Sequence, residues 1–152
     1  MNTYQKVVES NRIEGILRKP TIQELRMHEL FMQLHIINIH DLEAFVSIYQ
    51  PDARLRSVVG MDIHIGAYVP PLGGPQIPEL LQKLLDDVNG ERVNAFRAHH
   101  RYESLHPFSD GNGRSGRVLW YWMMQNDAQF ANADELGFLH TFYYQTLRMG
   151  EP

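Results

Sequence analysis

The chain of 152 residues contains no cysteine, which removes disulfides and thiolate chemistry and fits a reducing compartment. It also lacks any apolar run of membrane-spanning length. Its start, Met1 to Lys6, has no apolar stretch of the kind a signal peptide needs, so a cytoplasmic protein without a membrane partner is expected. Positive charge is scarce: 14 Lys and Arg face 18 Asp and Glu, for a net charge of −4. Broad nucleic-acid binding needs a basic surface and is therefore disfavoured. No linker, repeat or low-complexity tract interrupts the chain. With 43% apolar residues, its length suits one compact domain over 1–152 and falls short of two.

Helix punctuation predicts an all-α fold with one small β-hairpin. A first helix is expected from about Tyr4 to Glu14. A second should start at Thr21, whose hydroxyl forms a capping-box pattern with Glu24, and run through Leu25, Phe31, Leu34 and Ile37 to about Ile39. Asp41 is read as the cap of a short third helix ending before Pro51. The pattern then changes over 56–69, where Val58, Val59, Ile63, Ile65, Tyr68 and Val69 are punctuated by glycines at 60 and 66, which favours a hairpin. After the proline-rich loop 70–75, Pro78 begins an amphipathic helix. A helix from about Val93 leads to His106, another follows to near Asn126, and a last one carries Leu136, Leu139, Phe142, Tyr143 and Leu147.

Chemistry concentrates in one stretch, 106–117: His106, Pro107, Phe108, Ser109, Asp110, Gly111, Asn112, Gly113, Arg114, Ser115, Gly116 and Arg117. Three glycines let backbone N–H groups approach a ligand, and the apolar-periodic segment that follows places the turn at a helix N-terminus, where the first N–H groups lack intrahelical partners. Such a site attracts anions. Arg114 and Arg117, three apart, leave nearly one face of that helix as two permanent charges shaped for phosphate oxygens. Asp110 supplies a hard oxygen suited to Mg²⁺ beside a polyphosphate, and His106 is a base that can take up a proton at neutral pH. The set points to nucleotidyl or phosphoryl transfer to a hydroxyl.

Other readings of the same residues compete. Gly111, Gly113 and Gly116 spell G-x-G-x-x-G, and the segment is one Lys and one Ser/Thr short of a P-loop, but both motifs need a β-strand upstream. Here Phe96, His99, His100, Tyr102 and Glu103 follow a helical pattern. A calcium loop beginning at Asp110 would lack its glycine and terminal Glu. A tight turn with solvated arginines explains each residue singly but not the combination.

The stretch resembles the motif of Fic-domain proteins, H-P-F-x-D/E-G-N-G-R-x-x-R, at every fixed position. Chance agreement at nine fixed residues is on the order of 10⁻¹² per start position for residue frequencies near one in twenty. The resemblance implies a Fic fold and a protein adenylyltransferase that moves AMP from ATP to a Ser, Thr or Tyr hydroxyl. By the same resemblance His106 is the base and Asp110 holds Mg²⁺. Asn112 and the amides at Gly111 and Gly113 cradle the α-phosphate, Arg114 grips the phosphate chain, Arg117 binds the γ-phosphate, and Phe108 anchors the loop. The 56–69 segment corresponds to a flap whose edge takes the protein target by β-strand addition.

A second pattern lies at Ser10 to Gly15. It resembles the family's inhibitory motif, S/T-x-x-x-E-G/N, and the resemblance implies that 1–16 is an inhibitory helix whose Glu14 opposes Arg117. A carboxylate and a phosphate compete for one guanidinium. Read by itself, the pattern is equally an N-terminal helix with Gly15 after its end. Among other residues, His35, His40, His99 and His100 show no metal-ligand arrangement, and Trp120, Trp122, Tyr143 and Tyr144 read as core more readily than as an adenine-stacking face. The sequence thus points to an autoinhibited, Mg²⁺-dependent adenylyltransferase. A different donor such as UTP, removal of AMP by water, and nucleotide binding without turnover are the alternatives. Self-modification and a homo-oligomer stay open.

Overall fold

The computed structural model describes residues 1–127 and 130–149. Among them the chain forms seven helices, Thr3–Ile13 (α1), Ile22–Met32 (α2), Ile39–Tyr49 (α3), Gln76–Asn89 (α4), Ala95–Leu105 (α5), Asn112–Met124 (α6) and Phe130–Met149 (α7). The all-α class expected from the sequence holds. None of these helices is long and apolar enough to cross a membrane.

α6 is the central element, buried along nearly its whole length, with α1, α2, α3, α5 and α7 against it. A helix buried on all sides must find internal partners for its polar side chains. Trp120 Nε1 accordingly donates to Gln145 Oε1 at 2.9 Å, and Trp122 Nε1 to the Leu34 carbonyl at 2.8 Å. Both tryptophans are core residues, whereas Tyr143 and Tyr144 are exposed on α7. One apolar cluster gathers Phe31, Leu42, Phe45, Leu81, Leu85 and Leu119; a second places Trp120, Tyr121 and Met124 of α6 against Ala133 and Phe138 of α7. Gly137 breaks α7 at φ 88°, and the N–H of the next residue, Phe138, turns out to Glu9 Oε1 at 2.8 Å.

The helix starts follow capping chemistry. Reciprocal capping boxes open α1 (Asn2 with Gln5), α2 (Thr21 with Glu24) and α3 (Asn38 with Asp41). The third corrects the expectation for Asp41, which is the reciprocating residue one turn inside the helix and not the cap. α2 also ends at Met32, well before Ile39. The reason is tertiary: the Asn89 side chain accepts from the Ile37 N–H at 2.9 Å and donates to its carbonyl at 2.8 Å, holding the connection out of helix. Asn94, not Val93, leads into α5, and α4 begins at Gln76 with Pro78 in its first turn, where a missing N–H costs nothing.

The hairpin over 56–69 is present only as a tight turn. Ile65 and Tyr68 exchange both backbone bonds, at 2.8 and 3.0 Å, around Gly66, whose φ of 58° suits the first central residue of a two-residue turn. Gly60, at φ 98°, breaks the run before it. The Met61 N–H closes on the Val58 carbonyl and the Met61 carbonyl accepts from the Arg56 guanidinium, so the longer ladder is not formed.

His28 of α2 and His99 of α5 are buried, and burial lowers both imidazoles to about 4. Each is neutral in the folded chain while its unfolded counterpart protonates near 6.5, so the unfolded state binds more protons and stability falls as pH drops from about 6.5 towards 4. The variant His28→Phe should lose less. Between pH 7 and pH 5, urea unfolding should show the wild type losing about 2 kcal/mol more than the variant, at about 1.4 kcal/mol per pH unit.

Candidate active site

α5 ends at His106, a non-glycine residue in the left-handed region at φ 51°, ψ 62°. Its N–H still closes on the Tyr102 carbonyl, but the left-handed step turns the chain away so that Pro107 to Asp110 can cross to the start of α6. The ring is held as well: Nδ1 lies 3.0 Å from the Glu103 carbonyl. A carbonyl can only accept, so Nδ1 carries the proton and Nε2 keeps a free lone pair. Burial holds the imidazole below its ordinary range, the charge on Arg56 adds to this, and the Glu103 hydrogen bond and the carboxylates of Asp110 and Glu14 oppose it. The result is a neutral, oriented base at pH 7.

The loop beyond it is fixed from inside. Phe108 is buried, and its peptide groups are bound by the Asn112 side chain, with Phe108 N–H to Oδ1 at 2.9 Å and Nδ2 to the Phe108 carbonyl at 2.8 Å. Asn112, expected to cradle phosphate, therefore spends its side chain on the shape of the loop. Ser115 Oγ donates to the Gly111 carbonyl at 2.8 Å, which leaves the Tyr102 hydroxyl as donor in the 2.7 Å contact between the two. Gly111, at φ 78°, caps α6 without any side-chain bond. The N–H groups of Asn112, Gly113 and Arg114 consequently face outward from a helix N-terminus, an anion site by geometry. Asp110 is exposed beside it, one oxygen accepting from the Gly111 N–H at 2.7 Å.

The two arginines have separate partners. Arg114 turns to the end of α3, donating to the Tyr49 carbonyl at 3.2 Å and Gln50 Oε1 at 2.9 Å, while its buried Nε has no partner. Burial lowers its guanidinium from the usual range. Arg117 turns to α1, donating through Nε to Ser10 Oγ at 2.8 Å and through Nη2 to the Ser10 carbonyl at 3.0 Å and Glu14 Oε2 at 2.6 Å. Ser10 and Glu14, distant in sequence, are thus brought to the second motif arginine. Glu14 lies against Gly113, where a Cβ would stand 2.5 Å from its Oε2. Between α1, α3 and α6, a void of about 10 Å³ remains beside Arg114 and Arg117.

These residues fit a nucleotide with its cation in one respect and limit it in another. Among the described residues Arg114 has no carboxylate partner and keeps an unpartnered buried donor, as an anion-binding group would. Among the described residues no cluster of three or more His, Asp or Glu side chains could hold a metal alone. Asp110 offers one carboxylate, which suits Mg²⁺ only where phosphate oxygens and water complete its shell.

The family model of Fic/DOC proteins matches residues 29–124, more than half of the chain and all of the loop described above. The chain belongs to the Fic/DOC family. It is similar to proteins named protein adenylyltransferase Fic from Drosophila grimshawi and Drosophila willistoni, each 34% identical over 64 residues, and from Drosophila mojavensis, 33% identical over 64 residues. Each match covers 38% of this chain and 12–13% of the relative, so the chain spans about an eighth of the length of these relatives. α1, with Ser10 and Glu14, lies outside the family match.

Two residues of this Fic domain escaped the sequence reading. Arg56 was legible only as the first residue of the flap, yet it is wholly buried and bonded to the backbone around His106. Glu103 was one member of a helical pattern. Its Oε1 is buried without a hydrogen-bond partner among the described residues and lies where a Cβ on Gly116 would approach to 2.6 Å. Burial raises this carboxyl to about 7, with Arg117 opposing and Glu14 adding to the shift. A carboxyl protonated in the folded state near 7, but ionising near 4.5 when unfolded, costs stability as pH rises through that window. Glu103→Gln should therefore gain on the wild type as pH rises from 5 to 8, by about 2 kcal/mol in urea unfolding; parallel pH curves would show the carboxyl to be ionised throughout.

Proposed function

We propose that this Fic domain is an autoinhibited protein adenylyltransferase that moves AMP from ATP to a Ser, Thr or Tyr hydroxyl. The observation that carries the reading is the free Nε2 of His106 beside an uncapped helix N-terminus, with Arg117 already occupied by a carboxylate from α1. His106 Nε2 takes the proton of the acceptor hydroxyl, the hydroxyl oxygen bonds to the α-phosphorus, and the bond from that phosphorus to the bridging oxygen breaks, releasing pyrophosphate. The N–H groups of Asn112, Gly113 and Arg114 face the phosphate charge as it is redistributed. Asp110 would hold Mg²⁺, which when bound neutralises phosphate charge. Arg114 and Arg117 bind the phosphate chain once their present partners are exchanged for it.

Inhibition follows from competition. Glu14 and a γ-phosphate want the same Nη2 of Arg117, and Glu14 holds it at 2.6 Å in the folded chain. A target strand would add at the 56–69 segment, where Val58, Val59, Tyr68 and Val69 are exposed, with its own backbone completing the pairing that the segment lacks. The adenylyltransferase names of the similar proteins support the donor and the reaction class.

Intact mass after incubation with ATP and Mg²⁺ in a cell lysate tests the reading. One charge-assisted hydrogen bond is worth about 1.5–3 kcal/mol, so Glu14→Gly should raise AMP incorporation into the chain or a lysate protein by roughly 10- to 150-fold. Adding His106→Ala should abolish it. Glu14 is 37% exposed, and a thermal unfolding check separates loss of the ion pair from loss of fold. Unchanged labelling in folded Glu14→Gly would remove the autoinhibition, and labelling by UTP alone would replace the donor.

A further inference from the structure

We propose that Arg56 is the positioning residue of His106, fixing the base's left-handed backbone and tying the root of the 56–69 segment to it through the same guanidinium. The inference rests on His106 acting as the base of the reaction above. Arg56 is fully buried, and its donors go to main-chain carbonyls: Nε to His106 at 2.7 Å, Nη2 to Leu105 at 2.9 Å and Nη1 to Met61 at 3.0 Å. Its own N–H reaches the Pro107 carbonyl at 2.9 Å, and its carbonyl accepts from the Gly74 N–H at 3.0 Å. Two residues away on each segment, the Ser109 N–H donates to the Arg54 carbonyl at 2.8 Å and the Arg54 N–H to Ser109 Oγ at 2.9 Å.

A buried guanidinium is costly, and filling this volume would be cheaper with Leu or Met. What an apolar side chain cannot do is satisfy the last carbonyls of α5, which carry the negative end of the helix dipole and which a left-handed step at His106 leaves without helical partners. That conformation costs about 1–2 kcal/mol in a non-glycine residue, and the residue before a proline prefers an extended backbone. Released from Arg56, His106 would relax towards that preference, carrying its ring off the Glu103 carbonyl and losing the proton arrangement that leaves Nε2 free. The third bond, to Met61, couples this same guanidinium to the segment on which an acceptor would dock, so base and docking edge keep one register.

The test compares Arg56→Met and Arg56→Lys in the Glu14→Gly background, reading kcat and KM for ATP, with imidazole ¹⁵N NMR of His106 in nucleotide-free protein. Arg56→Met should lower kcat by about 10²-fold, the scale of a misplacement near 1 Å, with KM for ATP within about twofold because the phosphate-binding groups are untouched. Arg56→Lys should recover part of kcat. The wild-type ring should show the Nδ1–H tautomer alone, and Arg56→Met a mixture of both. A folded Arg56→Met with wild-type kcat or a pure Nδ1–H ring overturns the proposal, as does a kcat loss matched by KM. Should Arg56→Met fail to fold, Arg56→Lys decides: reduced kcat with a mixed ring supports the proposal, and wild-type values overturn it. If no variant transfers AMP, the proposed function falls, while the NMR still tells whether Arg56 sets the ring.

Discussion

The chain must leave α5 at His106 and enter α6 at Asn112 while presenting an imidazole and a row of free N–H groups to one side. Most of the structure serves that reversal. It demands a left-handed backbone where glycine would be easier, because the side chain at that point is needed. The cost is met by bonds from every direction: Arg56 on the carbonyls, Glu103 on the ring, Asn112 on the Phe108 peptide, and Tyr102 through Ser115 on the Gly111 carbonyl. Phe108 closes the set by filling the core beneath the loop. The loop is therefore rigid before any ligand arrives, which is what an anion site made of backbone N–H groups requires.

Burying α6 on all sides has a second consequence. Its two arginines cannot reach bulk water, so each must be given an acceptor, and the protein gives them acceptors of different kinds. Arg114 has the carbonyl end of α3 and an amide, both uncharged. Arg117 has Ser10 and Glu14, on the segment held by Glu9 to the Phe138 N–H and by Lys6 to Asp134. Gly113 makes the approach of Glu14 feasible, and Gly116 does the same for Glu103. The spacing that resembles a nucleotide fingerprint thus also clears one face of α6 for two carboxyl groups.

Local rules carried the sequence reading a long way. The capping pattern at Thr21 and Glu24, the apolar spacing of α4 and the breaks at Gly15 and Pro51 depend on neighbours within a turn, and the start of α2, the buried face of α4 and the ends of α1 and α3 follow them. The cap of α3 moved to a near neighbour, Asn38, and two other readings moved for partners outside their own turn. α2 stops short of Ile39 because Asn89, on α4, takes the Ile37 peptide. The 56–69 segment reads as two β-branched strands, but the Met61 N–H closes a turn on the Val58 carbonyl and the Met61 carbonyl is taken by Arg56, so the backbone groups at 61 do not extend the ladder. Asn112 shows the same limit within the motif, since its spacing says only that an amide is required and not whether it faces ligand or loop.

What the sequence determined by itself was the family motif at 106–117 and the helical class, because residue type, spacing and helix period are local properties. That Glu14 meets Arg117 was suggested by a six-residue pattern but decided by packing: α1 must lie along α6 for a carboxylate at 14 to reach a guanidinium at 117. Arg56 and Glu103 were decided by tertiary structure alone. An arginine becomes a positioning group only when the carbonyls it faces have lost their helical partners, and a glutamate becomes a buried acid only when another helix closes over it. Neither condition is written in the residues adjacent to it.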